Sequence, residues 1–251
     1  MIFVTGTDTS AGKTLLTAFI LHHLRQGGIH ALAMKPFCSG GRGDIKLLRA
    51  LQNDELPTEE VNPFYFAEPI APLVAARMHR RVVRLSDVLE RVQKVKTKCE
   101  RLVIEGSGGL FVPLGEGYTV LDLIMHLSCL VVVAARNKLG VINHTLLTIK
   151  AMQAAGIKSI AVVLMGCKER DTSAQSNVKI LAELLSPIRV LSTPFLGQGA
   201  LQLGAVKRNY KKVKKTVALL ADFDSVAPVL LNDPKKRLET KTSVDSPRGR
   251  K

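Results

Sequence analysis

A glycine-rich segment near the start of the chain has the residue types of a phosphate-binding loop. It reads Gly6-Thr-Asp-Thr-Ser-Ala-Gly-Lys-Thr14 and lies between a predicted strand and a predicted helix. Glycines let successive backbone N–H groups turn toward an anion at the helix N-terminus. Lys13 would add a positive charge beside the outer phosphates of a nucleotide, and the Thr14 hydroxyl would bind Mg²⁺. Five residues rather than four separate Gly6 from the Gly12-Lys13-Thr14 triplet, so an ordinary strand-to-helix turn with a capping threonine is the alternative.

Two acidic residues, Glu105 and Asp44, stand where a carboxylate could bind the same magnesium ion. Glu105 ends a short apolar run and precedes Gly106-Ser107-Gly108-Gly109, which places it at the carboxyl edge of a parallel sheet. A surface carboxylate that caps the glycine turn is the alternative. Asp44 lies at the predicted start of a helix, after the glycine-rich segment 39–43. Helix capping alone would explain it, and the residues do not decide between these interpretations.

Lys35 is an isolated cation at the end of the second predicted strand, directly before Pro36. A lysine in such a place is usually a solvated strand end whose ammonium group reaches water. The sequence by itself therefore favours the solvated interpretation of Lys35 over a catalytic one.

The elements that must position these residues alternate between strand and helix. Short apolar runs rich in β-branched residues are typical of strands buried on both faces of a parallel sheet. The pattern predicts strands at Ile2–Thr5, Ala31–Pro36, Leu102–Glu105, Leu130–Ala135 and Ile160–Leu164. It predicts helices at Lys13–Gln26, from about Asp44, and near Leu85–Lys98, Thr119–His126, Ile142–Ala155 and Ser173–Leu185, with a Pro-rich loop at Val61–Pro72. This alternation predicts an α/β fold, a doubly wound and mainly parallel sheet with helices on both faces.

Composition excludes several classes of protein. The chain has 251 residues, 46% of them hydrophobic and 23% charged, which excludes a wholly disordered or collagen-like chain. The longest apolar stretch, Leu127 to Ala135, is about half of what a bilayer span needs. The N-terminus runs directly into the glycine motif without the pattern of a signal peptide. Four scattered cysteines with no CxxC pair indicate neither a zinc site nor a disulfide framework. We therefore expect a cytoplasmic protein with no membrane contact.

Positive charge is concentrated at the C-terminal end. The net charge is +15, and residues 207–251 hold 13 basic and five acidic residues, a net of +8. Lysines at 211–215 could contact nucleic acid, but no aromatic platform or reading motif accompanies them. A solvated basic face is the favoured interpretation, so nucleic acid is not an expected partner. Residues 1–232 are predicted to form a single domain, and the basic segment 233–251 is expected to be disordered.

Five sequence blocks together resemble the dethiobiotin synthetase family. They occur in family order across residues 1–200. They are Gly6–Thr14, similar to GTDTxxGKT; Lys35-Pro36 with Ser39, similar to KPxxSG; Val61–Pro72, similar to NPYxFxxPxxP; Glu105–Leu114, similar to the EGAGG block; and Lys138–His144, similar to KLGxINH.

The resemblance implies a fold and a reaction. The fold would be of the P-loop NTPase type, shared with cobyrinate amidating synthases and ParA/MinD-type ATPases, and the enzyme would be a homodimer. With ATP and Mg²⁺ as cofactors, CO₂ would add to one amine of 7,8-diaminononanoate to give a carbamate. ATP would convert the carbamate to a carbamic-phosphoric anhydride, and the second amine would close the ring to dethiobiotin.

The resemblance also implies roles for individual residues. Lys13 and Lys35 would be catalytic, with Lys35 neutralising charge on the carbamate and the transferring phosphoryl group. Thr14, Asp44 and Glu105 would hold the magnesium ion. The nucleotide would contact Ser10, Ala11, Gly12, Lys13, Thr14, Leu15, Asp44, Glu105, Gly106, Ser107, Gly108, Pro194, Phe195 and Leu196. The substrate would contact Thr9, Ser39, Leu139, Gly140, Val141, Ile142 and Asn143. The last five would receive the substrate carboxylate, across the dimer; simple helix capping around Gly140 is the alternative.

Two departures from the family pattern bear on the nucleotide, and two other classes remain as alternatives. Ser10 replaces a common acid, and Gly166 stands where an asparagine commonly binds the adenine edge, so strict ATP preference is not expected. A cobyrinate-type synthase would need a further glutamine-hydrolysing domain, for which 251 residues leave little room. A ParA/MinD-like partitioning ATPase would carry its signature lysine at the position of Asp8, where this chain has an acid.

Overall fold

The computed structural model describes residues 1–168 and 172–221. The strands in this part are β1 (Ile2–Gly6), β2 (Ala31–Met34), β3 (Phe37–Ser39), β4 (Phe64–Phe66), β5 (Arg101–Glu105), β6 (Pro113–Gly115), β7 (Tyr118–Thr119), β8 (Leu130–Arg136), β9 (Ile160–Met165) and β10 (Arg189–Thr193). The helices are α1 (Lys13–Gln26), α2 (Gly43–Leu51), α3 (Thr58–Val61), α4 (Pro72–Met78), α5 (Leu85–Lys96), α6 (Val120–Met125), α7 (Val141–Ala154), α8 (Ala174–Leu184) and α9 (Leu203–Ala221).

Six of these strands form a parallel sheet in the order β10-β9-β8-β1-β5-β2. The inner strands are buried along almost their whole length. Their side chains are mostly β-branched or alanine, which pack against helices on both faces of such a sheet. The predicted fold class is therefore confirmed, and the α1 bounds agree with the prediction.

The strand register brings the chemical residues to one edge of the sheet. On β1 and β5, Val4 pairs with Glu105, and on β2 and β5, Met34 pairs with Ile104. The next residues, Lys35 and Glu105, therefore leave neighbouring strands side by side. The loop that follows β1 opens at the same edge, because all six strands run in the same direction.

The segments around Pro36 and Phe64 differ from the prediction. The second strand ends at Met34. The Lys35 N–H donates to the Val61 carbonyl at 2.8 Å instead of to a neighbouring strand, and Pro36 has no N–H that could donate to one. The chain then forms β3, which pairs in parallel with β4. Both strands lie in segments predicted to be loops. The buried rings of Phe64 and Phe66 explain a strand inside a Pro-rich stretch.

Six further elements were not predicted from the sequence: α3, α4, β6, β7, β10 and α9. In α9 the lysines obscure the helical period, yet Val206, Val213, Val217 and Leu220 follow it and are buried. The segment 233–251, expected to be disordered, lies outside the described residues, and the domain division stays a prediction. Among residues 1–168 and 172–221, no helix combines the length and the apolar character needed to cross a bilayer.

Candidate active site

The loop between β1 and α1 presents unpaired backbone N–H groups. Gly12 has φ 98°, and a Cβ there would lie 2.8 Å from Cγ of Met165, so only glycine fits. Ser10 also has positive φ, 58°, which is uncommon for a residue with a side chain. Within the described residues, the N–H groups of residues 10–14 have no acceptor. A curled backbone with free N–H groups at a helix N-terminus fits an anion such as a phosphate.

Lys13 lies in this loop with its ammonium group held by the backbone. Its Nζ donates to the carbonyl of Asp8 at 2.8 Å, and the residue is buried. Burial lowers the pKa of Lys13 to about 8, although Glu105 opposes the shift. A desolvated ammonium with no carboxylate bonded to it is suited to receive the negative charge of a phosphate.

Lys35 is buried between two carboxylates. Its Nζ donates to Oε1 of Glu105 at 2.8 Å and to Oδ2 of Asp44, and the residue is only 9% exposed. Burial by itself would lower the pKa of Lys35, but Glu105 and Asp44 raise it above its ordinary value. Lys35 is therefore a buried cation paired with two carboxylates, and the interpretation as a solvated strand end is wrong.

Glu105, Asp44 and Thr14 form a set of oxygen ligands. The Thr14 hydroxyl donates to Oε1 of Glu105 at 2.7 Å. Glu105 is 1% exposed, and its Oε2 is buried with no hydrogen-bond partner among the described residues. Mg²⁺ prefers oxygen ligands of this kind, and the carboxylates already bind one cation, the Lys35 ammonium. The donor set and the orphaned oxygen therefore fit a magnesium ion.

The structure argues against the capping interpretation for both acids. Asp44 is the second residue of α2, the N-cap position is Arg42, and no side chain caps the helix. Asp44 binds Lys35 instead. Glu105 is buried rather than a surface residue that caps the glycine turn. Ion pairing inside the site, rather than capping, explains both residues.

Three further residues that were predicted to contact the nucleotide or the substrate lie near the phosphate loop. Ser39 Oγ is buried with no partner among the described residues, so it is available to a ligand. Ser107 Oγ donates to the Phe37 carbonyl at 2.7 Å and ties the glycine turn after β5 to the start of β3. Thr9 is exposed beside the phosphate loop.

Asn62 supports Lys35 and was not identified as a functional residue from the sequence. It is 4% exposed, and its Nδ2 donates to the carbonyls of Lys35 at 2.8 Å and Pro36 at 3.3 Å. These bonds fix the backbone from which the Lys35 side chain extends. The asparagine in the NP block was visible in the sequence, but nothing there shows which backbone groups it bonds.

We expect Asn62→Asp to lower kcat by about tenfold or more with little effect on the KM for nucleotide, because a buried unmatched carbonyl costs about 1–3 kcal/mol. A carboxylate cannot donate to the Lys35 and Pro36 carbonyls, so Lys35 loses its fixed position. Steady-state kinetics with thermal melting measure this. Gln52→Glu is the matched control, since the buried Gln52 amide bonds the backbone of Ala33 on β2 rather than the carbonyls of Lys35 and Pro36. Equal kcat losses in both variants would indicate only a general loss of stability.

The segment Leu139–Asn143 follows β8 at the same edge of the sheet. Leu139 is 77% exposed, whereas the side chain of Val141 is buried. The Val141 N–H already donates to the Lys138 carbonyl at 3.1 Å. The first free N–H groups of α7 therefore belong to Ile142 and Asn143 rather than to all five residues.

Close packing leaves no space for a side chain at Gly166. A Cβ on Gly166 would lie 2.4 Å from the Phe195 nitrogen and 2.5 Å from the Pro194 carbonyl carbon. The Gly166 N–H donates to the Thr193 carbonyl at 3.0 Å. The chain after β9 therefore packs against the Pro194–Leu196 segment with no room for a side chain.

Comparison with known proteins identifies the family. A family model described as an AAA domain matches residues 1–197. The dethiobiotin synthetase of Bacillus licheniformis is 41% identical over 173 residues, which are 67% of this chain and 74% of that protein. The enzyme of Bacillus subtilis strain 168 is 34% identical over 200 residues, covering 78% and 84%. The chain belongs to the dethiobiotin synthetase family. It is therefore an enzyme of the ligase type, and the resemblance of the five sequence blocks is confirmed.

Solved structures agree with this fold. The MinC:MinD complex of Aquifex aeolicus gives a TM-score of 0.57 at 12% identity and covers 92% of this chain and 98% of that one. A ParA family ATPase from Chlorobium tepidum gives 0.53 at 11% identity, covering 88% and 98%. At such low identity the likeness concerns the P-loop fold alone, which this dethiobiotin synthetase family member shares.

Proposed function

We propose that the chain catalyses the ATP- and Mg²⁺-dependent closure of 7,8-diaminononanoate with CO₂ to dethiobiotin. Membership of the dethiobiotin synthetase family supports this substrate pair. The observation that carries the mechanism is the buried Lys35, bonded to Glu105 and Asp44 beside the phosphate loop. This arrangement provides fixed charge where a phosphoryl group would be transferred.

The reaction has three balanced steps. One amine of the substrate attacks CO₂ and loses a proton, which gives a carbamate. A carbamate oxygen attacks the γ-phosphorus of ATP, and ADP leaves. The neighbouring amine then attacks the carbamate carbon, inorganic phosphate leaves, and the amine proton is lost as the ring closes. The carbamate oxygen is a poor leaving group until it is phosphorylated, and the neighbouring amine reacts at high effective molarity.

Each residue acts through its position. The free N–H groups of residues 10–14 and the Lys13 ammonium bind the triphosphate. Lys35 binds the carbamate and the transferring phosphoryl oxygens, and its charge offsets theirs. Thr9 and Ser39 hold the diamine and the carbamate. When bound, Mg²⁺ would be held by Thr14, Asp44 and Glu105 and would neutralise phosphate charge.

The substrate carboxylate and the dimer belong to the same proposal. The carboxylate is received at the start of α7, where the N–H groups of Ile142 and Asn143 attract an anion. Leu139, just before α7, and Leu147, in the middle of α7, are 77% and 61% exposed, which supports a second subunit against α7. Light scattering is expected to give twice the 27.3 kDa of one chain.

One assay tests the proposed reaction. We expect ADP release that requires both the diamine and bicarbonate, with dethiobiotin formed in equal amount. Lys35→Ala is the control for contaminating ATPases. ADP release without the diamine would instead support the partitioning-ATPase alternative. That alternative rests only on the shared fold, and Asp8 stands where its signature lysine belongs.

We expect the enzyme to use GTP and CTP at measurable rates. Position 166 has no room for the side chain that commonly binds the adenine edge, and a site without such a hydrogen bond discriminates by far less than about 10⁴-fold. Values of kcat/KM for ATP, GTP and CTP measure the selectivity. An ATP preference beyond about 10⁴-fold would show that another group reads the base.

A further inference from the structure

Helix α9 carries a dense cluster of positive charge. Between Leu203 and Ala221 there is no Asp or Glu. Its six basic residues, here called the α9 basic face, are all exposed: Lys207, Arg208, Lys211, Lys212, Lys214 and Lys215.

The six side chains share one side of the helix. At 100° per residue they cover an arc of about 160°, and they extend over about 12 Å of helix axis. The apolar residues Val206, Val213, Val217 and Leu220 lie on the opposite side and are buried. The helix therefore uses its apolar side for the core and leaves its basic side to the surface.

Acidic neighbours do not neutralise this surface. Among the described residues, no carboxylate lies within ion-pair distance of the α9 basic face. Elsewhere on the molecule, by contrast, Lys94 and Lys98 both pair with Glu60. The net charge of +15 also exceeds the magnitude of about 2–8 that keeps a small domain soluble.

In place of the solvated surface expected from the sequence, we propose that the α9 basic face binds the phosphate backbone of duplex nucleic acid without sequence preference. About 12 Å of a duplex presents about seven phosphate charges, which matches six cations over the same length. Side chains that could read bases are occupied: Asn209 donates to the Leu196 carbonyl at 3.3 Å, and the Tyr210 hydroxyl bonds His23 at 2.6 Å.

Other polyanion partners fit this surface less well. A membrane-binding helix inserts an apolar side, and here that side is buried in the core. Protein interfaces are depleted in lysine, which makes up five of the six cations. Single strands bind by stacking on aromatic rings, and Tyr210, the aromatic residue of α9, packs its ring against His22 at 4.9 Å.

Fluorescence anisotropy of the full chain with a labelled duplex tests the proposal. We expect binding at about 50 mM salt that weakens steeply toward about 200 mM. Lys211→Gln/Lys212→Gln/Lys215→Gln is expected to reduce the slope of log K against log salt by about 3, near 0.9 for each lost phosphate contact. Lys150→Gln/Lys158→Gln/Lys179→Gln removes the same charge from exposed positions elsewhere and is expected to keep the slope. DNA and RNA duplexes are both used, because phosphate contacts do not distinguish them.

Several outcomes would overturn the proposal. They are an equal loss of slope in both triple variants, no duplex binding at low salt, or tighter binding to phosphatidylserine vesicles or polyglutamate than to the duplex. Arg208→Gln/Lys214→Gln provides a second variant if the first does not fold. Diamine-dependent turnover is expected to be unchanged in every variant, which separates failure of this proposal from failure of the proposed reaction.

Discussion

Lys35→Ala is expected to abolish turnover while leaving most of the nucleotide affinity intact. The Lys35 ammonium is the cation between Glu105 and Asp44, and in the proposed mechanism its removal takes a positive charge from the reacting phosphoryl group. Such a loss costs about 3 kcal/mol or more, which is above about a hundredfold in rate. Diamine-dependent ADP release measures the rate, and fluorescence titration with a nucleotide analogue measures the affinity.

Two further variants separate the loss of the Lys35 charge from the loss of a hydrogen-bond donor and from the loss of nucleotide binding. Lys35→Gln keeps a hydrogen-bond donor beside Glu105 without the charge and is expected to be about as slow. Lys13→Ala is expected to lose nucleotide affinity as well as turnover, because the Lys13 ammonium lies in the phosphate loop, bonded to the Asp8 carbonyl rather than to a carboxylate, and is proposed to bind the triphosphate. Turnover in Lys35→Gln close to that of the unchanged enzyme would contradict the mechanism.

The parts of the site that are local in sequence could be predicted from it. The phosphate loop lies within nine residues, Gly6 to Thr14, and its glycines and its flanking strand and helix are all visible there. The buried strands were also predictable, because runs such as 130–135 contain only apolar residues. Both signals depend on neighbours along the chain.

The role of Lys35 could not be derived in this way. Its partner Glu105 is 70 residues away, and only the parallel register of β2 and β5 brings them together. From the residues alone Lys35 was better explained as a solvated strand end, and only the family resemblance reversed that preference. The bonds of Asn62 and the lack of room at Gly166 likewise depend on segments distant in sequence.

Glu105→Gln is expected to raise the magnesium concentration needed for half-maximal activity by about tenfold or more, with the fold retained. Loss of one negative charge weakens the binding of a hard cation at a site with few carboxylates. A loss of about 1.4 kcal/mol in the free energy of magnesium binding corresponds to this tenfold change. Glutamine has nearly the same shape, so the buried site stays filled. Its amide oxygen can still accept from Thr14 and Lys35, as Oε1 does now.

Magnesium titrations of activity and of nucleotide affinity, together with thermal melting, measure this effect. Glu90→Gln is the matched control, because Glu90 is an exposed acid on α5 and is not among the proposed magnesium ligands. Asp44→Asn is expected to act in the same direction as Glu105→Gln but less strongly, since Asp44 is more exposed than Glu105 and water can replace its oxygen. If Glu105→Gln has an unchanged magnesium titration and full activity, then the buried, unpartnered Oε2 of Glu105 is not a metal ligand, and Glu105 serves only to hold Lys35.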